Sequence, residues 1–431
     1  MTAIENQIKL PNEFYEKALA EVVEKELNNS IDNYDITISA GSSKGDNYLG
    51  VIYRAQVKDK VTNENKLNLI VKLPPQSEIS RKEMFAGEFF RREAGFYDYV
   101  YPIYKKFQQD KGIDVENEGF HQVPICYKTL TEEPNEGLIF DDLKARGFDM
   151  FDRFKEVTKE HVFLVMRTLG KLHAVFYAIK DQNPAVFESY YTLKDSFKVM
   201  SEVENSTLPA YYSNLKKQTL EVVEKCENFE VKEKVLKYLD NDYDDLISNC
   251  LSREKSEPYT AICHGDCWNN NMLFMNNEDG SPKDLRFLDF QIIRYATPVT
   301  DLVYYIFGCT TKSLRDKHYQ EFFDVYHAEL SSYMRRLGSD PEVMFPRKAL
   351  DDQLKTFGQF GLLMAMMVLP IFTSVPEDIP NLDEIAESFA NLGTENETAA
   401  SAFNFTTEKT YDNYARRLLD VCHDMCSLGY I

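Results

Sequence analysis

The chain has 431 residues, a formal net charge of −21 and a hydrophobic content of 43%. A chain of this length is too long for one small core and suits two lobes with a cleft between them. The acidic balance argues against nucleic acid or an anionic membrane as the main partner, because binding to either needs a basic protein face.

The first part of the chain is predicted to form a helix and then two strands, over 34–39 and 51–58. A turn-rich segment with glycines joins the strands, and in kinase-like folds such a turn lays backbone N–H groups over a triphosphate. Gly45, Asp46 and Asn47 are therefore candidate nucleotide contacts, although most turns of this kind are plain hairpins. The chain has no Gly-Lys-Ser or Gly-Lys-Thr sequence, which excludes a Walker-type phosphate loop.

A third strand is predicted over 66–73, where alternate leucine and valine side chains share one face. Ile70 and Lys72 lie on the other face, so Lys72 points toward whatever the sheet covers. A solvated lysine at a sheet edge and a lysine on nucleotide phosphates are both open interpretations of this residue.

Ser80 and Glu83 form a capping-box pattern, which predicts a long helix running to about Tyr101. Glu93 lies in this helix on a stripe of aromatic and apolar side chains, where a buried carboxylate is costly unless it is paired. Lys72 is its natural partner, as in the ion pair between a strand lysine and a helix glutamate of protein kinases. Glu83 and Glu88 are competing candidates for this pairing, but they are expected to face solvent.

The segment 137–143 is predicted to be a short apolar strand that links the two lobes. Backbone groups at this link would hydrogen-bond the adenine, which makes Phe140 and Asp141 candidate nucleotide contacts. Beyond the link the sequence pattern is mostly helical. We therefore expect an N-terminal lobe over 1–139, a hinge over 140–147 and a C-terminal lobe over 148–431.

The stretch 262–271 carries the strongest functional signal in the chain. Asp266 is followed five residues later by Asn271, and Asp289 then follows on an apolar strand. Phosphoryl transfer from a magnesium nucleotide requires such a set: one carboxylate orients the attacking hydroxyl and accepts its proton, while an amide oxygen and a second carboxylate hold the metal. We therefore expect ATP and Mg²⁺ as cofactors, Asp266 as the catalytic base, and Asn271 and Asp289 as metal ligands at the open end of a β-hairpin.

The spacing after Asp289 bears on the nature of the acceptor. Protein kinases insert a longer activation segment at this point, ending in Ala-Pro-Glu, to bind a peptide. Here only eleven residues separate Asp289 from Asp301, and no Ala-Pro-Glu follows. A small-molecule acceptor is therefore expected rather than a protein. Asp301 is expected to cap the next helix or to brace the catalytic loop, and His173 is interpreted as a hydrogen-bonded core histidine.

The C-terminal part of the chain is predicted to be helical and rich in aromatic residues. Some of these side chains are expected to line an apolar acceptor pocket. The polar segment 381–409 is interpreted as a loop or the margin of a lid, and a last helix is predicted over 410–428.

Several features bear on cellular location. The N-terminus has no basic region followed by an apolar core, so no signal peptide is predicted. The longest apolar run, 361–369, is too short to span a bilayer. Eight cysteines without framework spacing suggest reduced thiols. We therefore expect a cytoplasmic protein without a membrane partner, and the oligomeric state stays open.

The assembled motifs resemble the insect ecdysteroid kinase-like family, a branch of the choline kinase and aminoglycoside phosphotransferase superfamily. The resemblance covers nearly the whole chain, and its most specific element is His264-Gly-Asp-Cys-Trp-Asn-Asn-Asn271. Supporting motifs are Gly45-Asp-Asn-Tyr, Glu93-Ala-Gly-Phe-Tyr97, Asp141-Asp-Leu, Leu288-Asp-Phe-Gln291 and Pro298-Val-Thr-Asp-Leu302.

The resemblance implies an α+β, two-lobed protein kinase-like fold, with an antiparallel sheet and a long helix in the first lobe and a larger, mostly helical second lobe. It implies that Lys72 contacts the nucleotide phosphates, that Glu93 anchors Lys72, and that Asp266 is the base. It also implies magnesium on Asn271 and Asp289. At Asp141 the chain departs from the family, which more often has glutamate there. The family's best-described activity is phosphorylation of a hydroxyl on ecdysteroid hormones.

The leading hypothesis is an ATP-dependent kinase for a hydroxyl of a lipophilic small molecule, most concretely an ecdysteroid. One alternative is a detoxification kinase for xenobiotic hydroxyls or glycosides. Another is a kinase for a cationic alcohol such as choline, which would call for an aromatic cage, whereas the single tryptophan, Trp268, lies in the catalytic stretch. The alternative from a different class is an inactive kinase fold that serves as a binding module.

Overall fold

A computed structural model describes residues 8–41, 50–152, 155–204, 206–375, 384 and 406–431. The buried apolar side chains of these ranges include a smaller hydrophobic core around the N-terminal sheet and a large core that is centred on the C-terminal lobe and also takes in side chains of the segment 90–123. A further small cluster is formed by Leu143, Phe148 and Leu273. The predicted α+β, two-lobed organisation is therefore confirmed. The exact lobe boundaries at the hinge over 140–147 stay a prediction.

The N-terminal lobe contains a five-stranded antiparallel sheet with the strand order β1-β2-β3-β5-β4. One helix, α1 (Glu13–Leu27), packs on one face of this sheet and is capped by the Asn12 side chain. The strands are β1 (Tyr34–Ala40), β2 (Val51–Asp59), β3 (Asn65–Leu73), β4 (Cys126–Leu130) and β5 (Gly137–Asp141). Sequence patterning did not identify β4.

The alternation predicted for β3 is found in the structure. Leu69, Val71 and Leu73 are fully buried in the core beneath α1. Ile70 and Lys72 therefore face the opposite side of the sheet, toward the cleft between the lobes.

The single long helix predicted from Ser80 to about Tyr101 is wrong in two respects. The capping residue is Ser77, whose side chain accepts a hydrogen bond from the Ser80 N–H. The helix is also interrupted at Phe85, whose backbone adopts the left-handed conformation with φ of 52°. The segment forms α2 (Glu78–Glu83), α3 (Ala86–Gly95), a π-helical stretch (Phe96–Val100), α4 (Tyr101–Asp110) and a short α5 (Val115–Glu118).

The C-terminal lobe is built mainly from helices. Residues 215–250 are divided among three of them. The helices are α6 (Lys159–Gln182), α7 (Glu188–Tyr191), α8 (Ser196–Ser201), α9 (Leu208–Val223), α10 (Phe229–Leu239), α11 (Tyr243–Cys250), α12 (Arg253–Ser256), α13 (Val299–Cys309), α14 (Lys312–Arg336), α15 (Pro341–Met344), α16 (Arg347–Phe357), α17 (Phe360–Thr373) and α18 (Tyr411–Leu428).

By length and composition, α6 could cross a membrane, as could α15–α17 together, with a bend of 61°. The apolar window of α6 is 78% buried inside the protein, and the helix packs along α14. Burial of this kind is typical of a core helix.

Two small sheets carry the predicted catalytic stretch. In one, β7 (Ala261–Cys263) pairs with β10 (Arg294–Ala296). In the other, the hairpin β8 (Met272–Asn276) and β9 (Pro282–Phe287) pairs with β6 (Asp149–Met150). Short 3₁₀ turns, Asn269–Asn271 and Phe290–Ile292, lie just before β8 and just beyond β9. Asn271 and Asp289 therefore lie at the open end of this hairpin, as the sequence predicts.

Candidate active site

The Asp266 carboxylate lies in the loop between β7 and β8 and is held by two side chains. The Tyr304 hydroxyl donates to its Oδ1 at 2.8 Å, and Nδ2 of Asn271 donates to its Oδ2 at 2.7 Å. Burial and the nearby charge of Asp289 raise the pKa of Asp266, while these two hydrogen bonds oppose the rise. The carboxylate is therefore fixed in orientation and more basic than an exposed aspartate.

Asp301, at the start of α13, braces the loop that carries Asp266. Its two carboxylate oxygens accept hydrogen bonds from the backbone N–H groups of His264 at 2.8 Å and Gly265 at 2.9 Å. His173 Nε2 lies 3.3 Å from Asp301 Oδ2, and its Nδ1 lies 3.0 Å from the Tyr326 hydroxyl. Burial raises the pKa of Asp301, but hydrogen bonding to His173 and the backbone outweighs it and lowers that pKa overall. Of the two roles left open by the sequence, these contacts favour the brace, and His173 is a hydrogen-bonded core residue.

The loop that carries Asp266 lies very close to the backbone of Ile292, in the 3₁₀ turn that follows Asp289. Gly265 has φ of +90°, and a Cβ atom added there would lie 2.1 Å from the backbone oxygen of Ile292. The His264 ring bridges the same two segments, because its Nε2 donates to the Leu288 carbonyl at 2.8 Å and its Nδ1 accepts from the Asp266 N–H at 3.2 Å. The position of Asp266 relative to Asp289 is thus set by backbone contacts.

Lys72 joins the two lobes through a chain of ion pairs. Its Nζ lies 2.6 Å from Glu93 Oε2 on α3 and 2.5 Å from Asp289 Oδ1. Burial alone would lower the pKa of Lys72, but the two carboxylates outweigh burial and raise it, so the ammonium stays charged. Burial raises the pKa of Glu93, and the ion pair with Lys72 opposes that rise. Lys72 thus takes the predicted partner, while Glu88 pairs with Arg92.

Two cavities meet at Asp266. The nucleotide-side cavity encloses about 1070 Å³ of space open to solvent. Its polar lining includes Lys72, Asp289 and Asn271, and its apolar lining comes from both lobes: Ile52, Ile70, Phe140, Leu143, Met150 and Leu273.

The acceptor-side cavity encloses about 1270 Å³ of such space and is mostly apolar. Its lining includes Met84, Phe85, Phe89, Phe197, Met200, Leu208, Met364, Met367, Val368 and Ile371. Asp266, Trp268 and Gln291 line both cavities. These three side chains therefore form the boundary between a charged space and an apolar one.

The hinge residues Phe140 and Asp141 also line the nucleotide-side cavity. The Asp141 carboxylate is engaged by the Ile125 N–H and by Arg146, each at 2.6 Å. The backbone N–H groups of Asp141 and Asp142 donate to Ile125 and Asn68 carbonyls, both at 3.0 Å. The N–H groups of Asp141 and Asp142 are therefore already engaged and are not free to hydrogen-bond an adenine.

Three predicted nucleotide contacts, Gly45, Asp46 and Asn47, lie outside the described residues. Two side chains at the site escaped the sequence analysis as functional candidates. Tyr304 belongs to the aromatic residues of the C-terminal helices, for which the sequence leaves both a core position and a place in the acceptor pocket open. It lies one helical turn after Asp301 and hence on the same face of α13. Gln291 entered only as the last residue of a motif. The helical spacing could have indicated Tyr304.

Comparison with known proteins gives a family match and distant similarities to solved structures, two of which are described below. The model of the ecdysteroid kinase-like family matches residues 44–339. No curated protein matches the sequence. An AMP-bound spectinomycin phosphotransferase is 12% identical, with 85% of this chain and 90% of that chain covered and a TM-score of 0.38. A GDP complex of aminoglycoside 2'-phosphotransferase-IIIa is 9% identical, with 94% and 99% covered and a TM-score of 0.40.

Gly265→Ala is expected to destabilise the protein far more than Gly280→Ala. Both glycines have positive φ, which costs an alanine ~1–2 kcal/mol. At Gly265 the new Cβ would also collide with the Ile292 backbone, whereas no heavy atom lies within 4 Å of a Cβ at Gly280. We expect a loss above about 3 kcal/mol for Gly265→Ala, measured from urea denaturation midpoints. Equal midpoints for the two variants would contradict the close approach of the loop to Ile292.

Proposed function

Because the chain belongs to the ecdysteroid kinase-like family, we propose that it transfers the terminal phosphoryl group of ATP to a hydroxyl of a lipophilic small molecule, most concretely an ecdysteroid. The family supports a small-molecule phosphotransferase of kinase-like fold. The observation that carries the finer proposal is that Asp266 borders both a charged cavity and an apolar one. A carboxylate between two such spaces can meet a phosphate donor from one side and an apolar acceptor from the other.

The residues at the hairpin end suit magnesium. Asp289 offers a carboxylate, and Asn271 offers an amide oxygen, because its Nδ2 is already engaged by Asp266. Such oxygen atoms are the ligands that Mg²⁺ prefers in proteins. When bound, the ion would neutralise charge on the nucleotide phosphates. Asn271 and Asp289 would hold it, and Lys72 would add a fixed positive charge because Glu93 anchors its ammonium.

Asp266 would act as the general base. It would accept the proton of the acceptor hydroxyl at one of its carboxylate oxygens while that hydroxyl attacks the terminal phosphorus of ATP. The bond from this phosphorus to the oxygen that bridges the last two phosphates would break, and ADP would leave. A raised pKa brings the base closer to the working pH, which improves proton transfer. Tyr304 and Asn271 would keep the carboxylate in one orientation. The Asp266 side chain would then not have to change rotamer before it accepts the proton.

The acceptor-side cavity supports a lipophilic substrate, because its lining is dominated by aliphatic, aromatic and methionine side chains. Four methionines line it: Met84, Met200, Met364 and Met367. Methionine is flexible and adapts to ligands of different shape. This observation supports a second candidate function, the phosphorylation of varied xenobiotic hydroxyls.

The same proposal includes a cytoplasmic location and no nucleic-acid or membrane partner. All eight cysteines lie within the described ranges and are free thiols, as is usual in a reducing compartment. The net charge of −21 supports the absence of a polyanionic partner.

Mass spectrometry tests the reaction directly. Purified protein would be incubated with magnesium ATP and a mixture of ecdysteroids, choline, ethanolamine and plant phenolic glycosides. We expect one steroid to gain one phosphate.

Asp266→Asn is expected to lower turnover by about 10²–10⁴-fold and to leave the Kd for ATP nearly unchanged. The exposed Asp110→Asn serves as a control with unchanged turnover. Turnover retained in Asp266→Asn would exclude Asp266 as the base, and a phosphorylated glycoside or amine would change the substrate class.

Tyr304→Phe is expected to move the acidic limb of the pH profile of kcat/KM to higher pH. Activity requires ionised Asp266 and therefore rises as pH passes its pKa. The Tyr304 hydrogen bond stabilises the carboxylate, so its loss raises the pKa of Asp266 further. Tyr305→Phe is the matched control, because the neighbouring Tyr305 hydroxyl is buried without a hydrogen-bond partner among the described residues. An unchanged limb in Tyr304→Phe, or equal shifts in both variants, would contradict this role.

Metal dependence separates Asp289 from other aspartates of the hairpin. A chelator is expected to abolish turnover, and added Mg²⁺ to restore it. Asp289→Asn is expected to raise the Mg²⁺ concentration for half-maximal activity at least about tenfold, because one charged ligand is lost. Asp279→Asn, in the turn of the same hairpin, is expected to leave that concentration unchanged. Full activity in excess chelator would rule out the metal site.

A further inference from the structure

Gln291 has an unusual position for a buried polar side chain. It lies in the 3₁₀ turn Phe290–Ile292, two residues after Asp289, and is 2% exposed. It lines both the nucleotide-side and the acceptor-side cavity. Its Oε1 atom is buried and has no hydrogen-bond partner within the described part of the chain. The proposed mechanism assigns this side chain no role.

A buried amide oxygen without a partner lowers stability, and native proteins rarely keep one without a reason. The turn that carries Gln291 is held in place on both sides. The Leu288 carbonyl accepts from His264 at 2.8 Å, and the Ile292 carbonyl lies against Gly265. The carboxamide is therefore kept at the boundary of the two cavities, where a bound molecule can supply its missing partner.

The acceptor is the molecule best suited to do so. In the proposed reaction the attacking hydroxyl must lie at Asp266, which borders both cavities together with Gln291. Asp266 and Gln291 are also the chain neighbours of Gly265 and Ile292, whose backbones are in close contact. A group that reaches Gln291 is therefore close to the carbon that carries the attacking hydroxyl. A carboxamide both donates and accepts hydrogen bonds, and its orphaned oxygen calls for an O–H or N–H donor. In a lipophilic alcohol, a second hydroxyl meets this requirement.

Building on the proposed function, we propose that Gln291 is a specificity-determining residue that binds a second hydroxyl of the acceptor, on the carbon next to the one that is phosphorylated. The acceptors are then lipophilic molecules with two adjacent hydroxyls. A mono-alcohol fills the same apolar cavity but leaves Gln291 unpaired, which disfavours it relative to the diol by about tenfold, as expected for one lost hydrogen bond at a buried site.

A second unpartnered polar atom provides a control. It distinguishes a specific role of Gln291 from a general effect of polar groups in the acceptor-side cavity. Ser196, at the start of α8, lines the acceptor-side cavity, and its buried Oγ has no hydrogen-bond partner in the described ranges. Ser196 does not line the nucleotide-side cavity. It therefore provides a matched control: it is polar, buried and at the acceptor-side cavity, but away from the boundary where Asp266 and Gln291 meet.

The test measures the Kd of two probes, decylene glycol, which has two adjacent hydroxyls at the end of an apolar chain, and decanol, which has one. Isothermal calorimetry would be performed on the full-length wild-type protein, Gln291→Met and Ser196→Ala. We expect the wild type to bind the glycol about tenfold more tightly than decanol. Gln291→Met, which keeps the length of the side chain, is expected to reduce this ratio to about one by weakening glycol binding alone. Ser196→Ala is expected to keep the ratio.

Several results would overturn the proposal: equal Kd values for the two probes in the wild type, no binding of either probe, or an unchanged ratio in Gln291→Met. Equal weakening of both probes would show that Gln291 contacts the attacking hydroxyl alone, and a changed Kd for ATP would assign it to the nucleotide. The wild-type ratio tests the proposal even if a variant fails to fold.

Failure of the kinase proposal gives a different result. Binding is read without turnover, whereas phosphorylation of the glycol is read separately by mass spectrometry with magnesium ATP. A tenfold preference that depends on Gln291, without any phosphorylated product, would support the binding role and reject the reaction.

Discussion

The geometry of the site depends on one buried carboxylate, that of Asp301. It accepts hydrogen bonds from two consecutive backbone N–H groups, those of His264 and Gly265, and it is held by His173 from the other side. A loop between two strands would otherwise have several conformations, each with a different direction for the Asp266 side chain. Because Asp301 opens α13, the same helix carries Tyr304 onto the Asp266 carboxylate one turn later. One helix thus fixes both the backbone and the side chain of the proposed base.

A second constraint is the separation of charge from apolar surface across the cleft. Lys72, Glu93 and Asp289 form a continuous set of ion pairs between the sheet of the N-terminal lobe, α3 and the C-terminal lobe. Buried charges of this kind persist only when they are paired. All three of these side chains line the nucleotide-side cavity. The acceptor-side cavity has few charged groups, and its wall includes Phe85, at the break between α2 and α3. The irregular backbone that the sequence failed to predict thus shapes the acceptor side.

The sequence predicted what depends on local pattern. Alternation in β3 identified the face of Lys72, the cost of an unpaired carboxylate among aromatic residues identified Glu93 as its partner, and the spacing of Asn271 and Asp289 identified the hairpin end. The break at Phe85 escaped prediction because phenylalanine rarely adopts positive φ and because the nearby glycine, Gly87, lies inside α3 and not at the break. Gln291 escaped because an unpartnered polar atom is defined by the packing of distant segments, which no spacing along the chain records.

The central claim is that Asp266 stands between a nucleotide and an acceptor hydroxyl. It is tested most directly by a crystal structure of the full-length protein with a non-hydrolysable ATP analogue, magnesium and an ecdysteroid. The account predicts the terminal phosphate beside Lys72 and Asp289, the steroid in the acceptor-side cavity, and one steroid hydroxyl within hydrogen-bonding distance of the Asp266 carboxylate. A nucleotide bound elsewhere, or a steroid whose hydroxyls all lie away from Asp266, would contradict it.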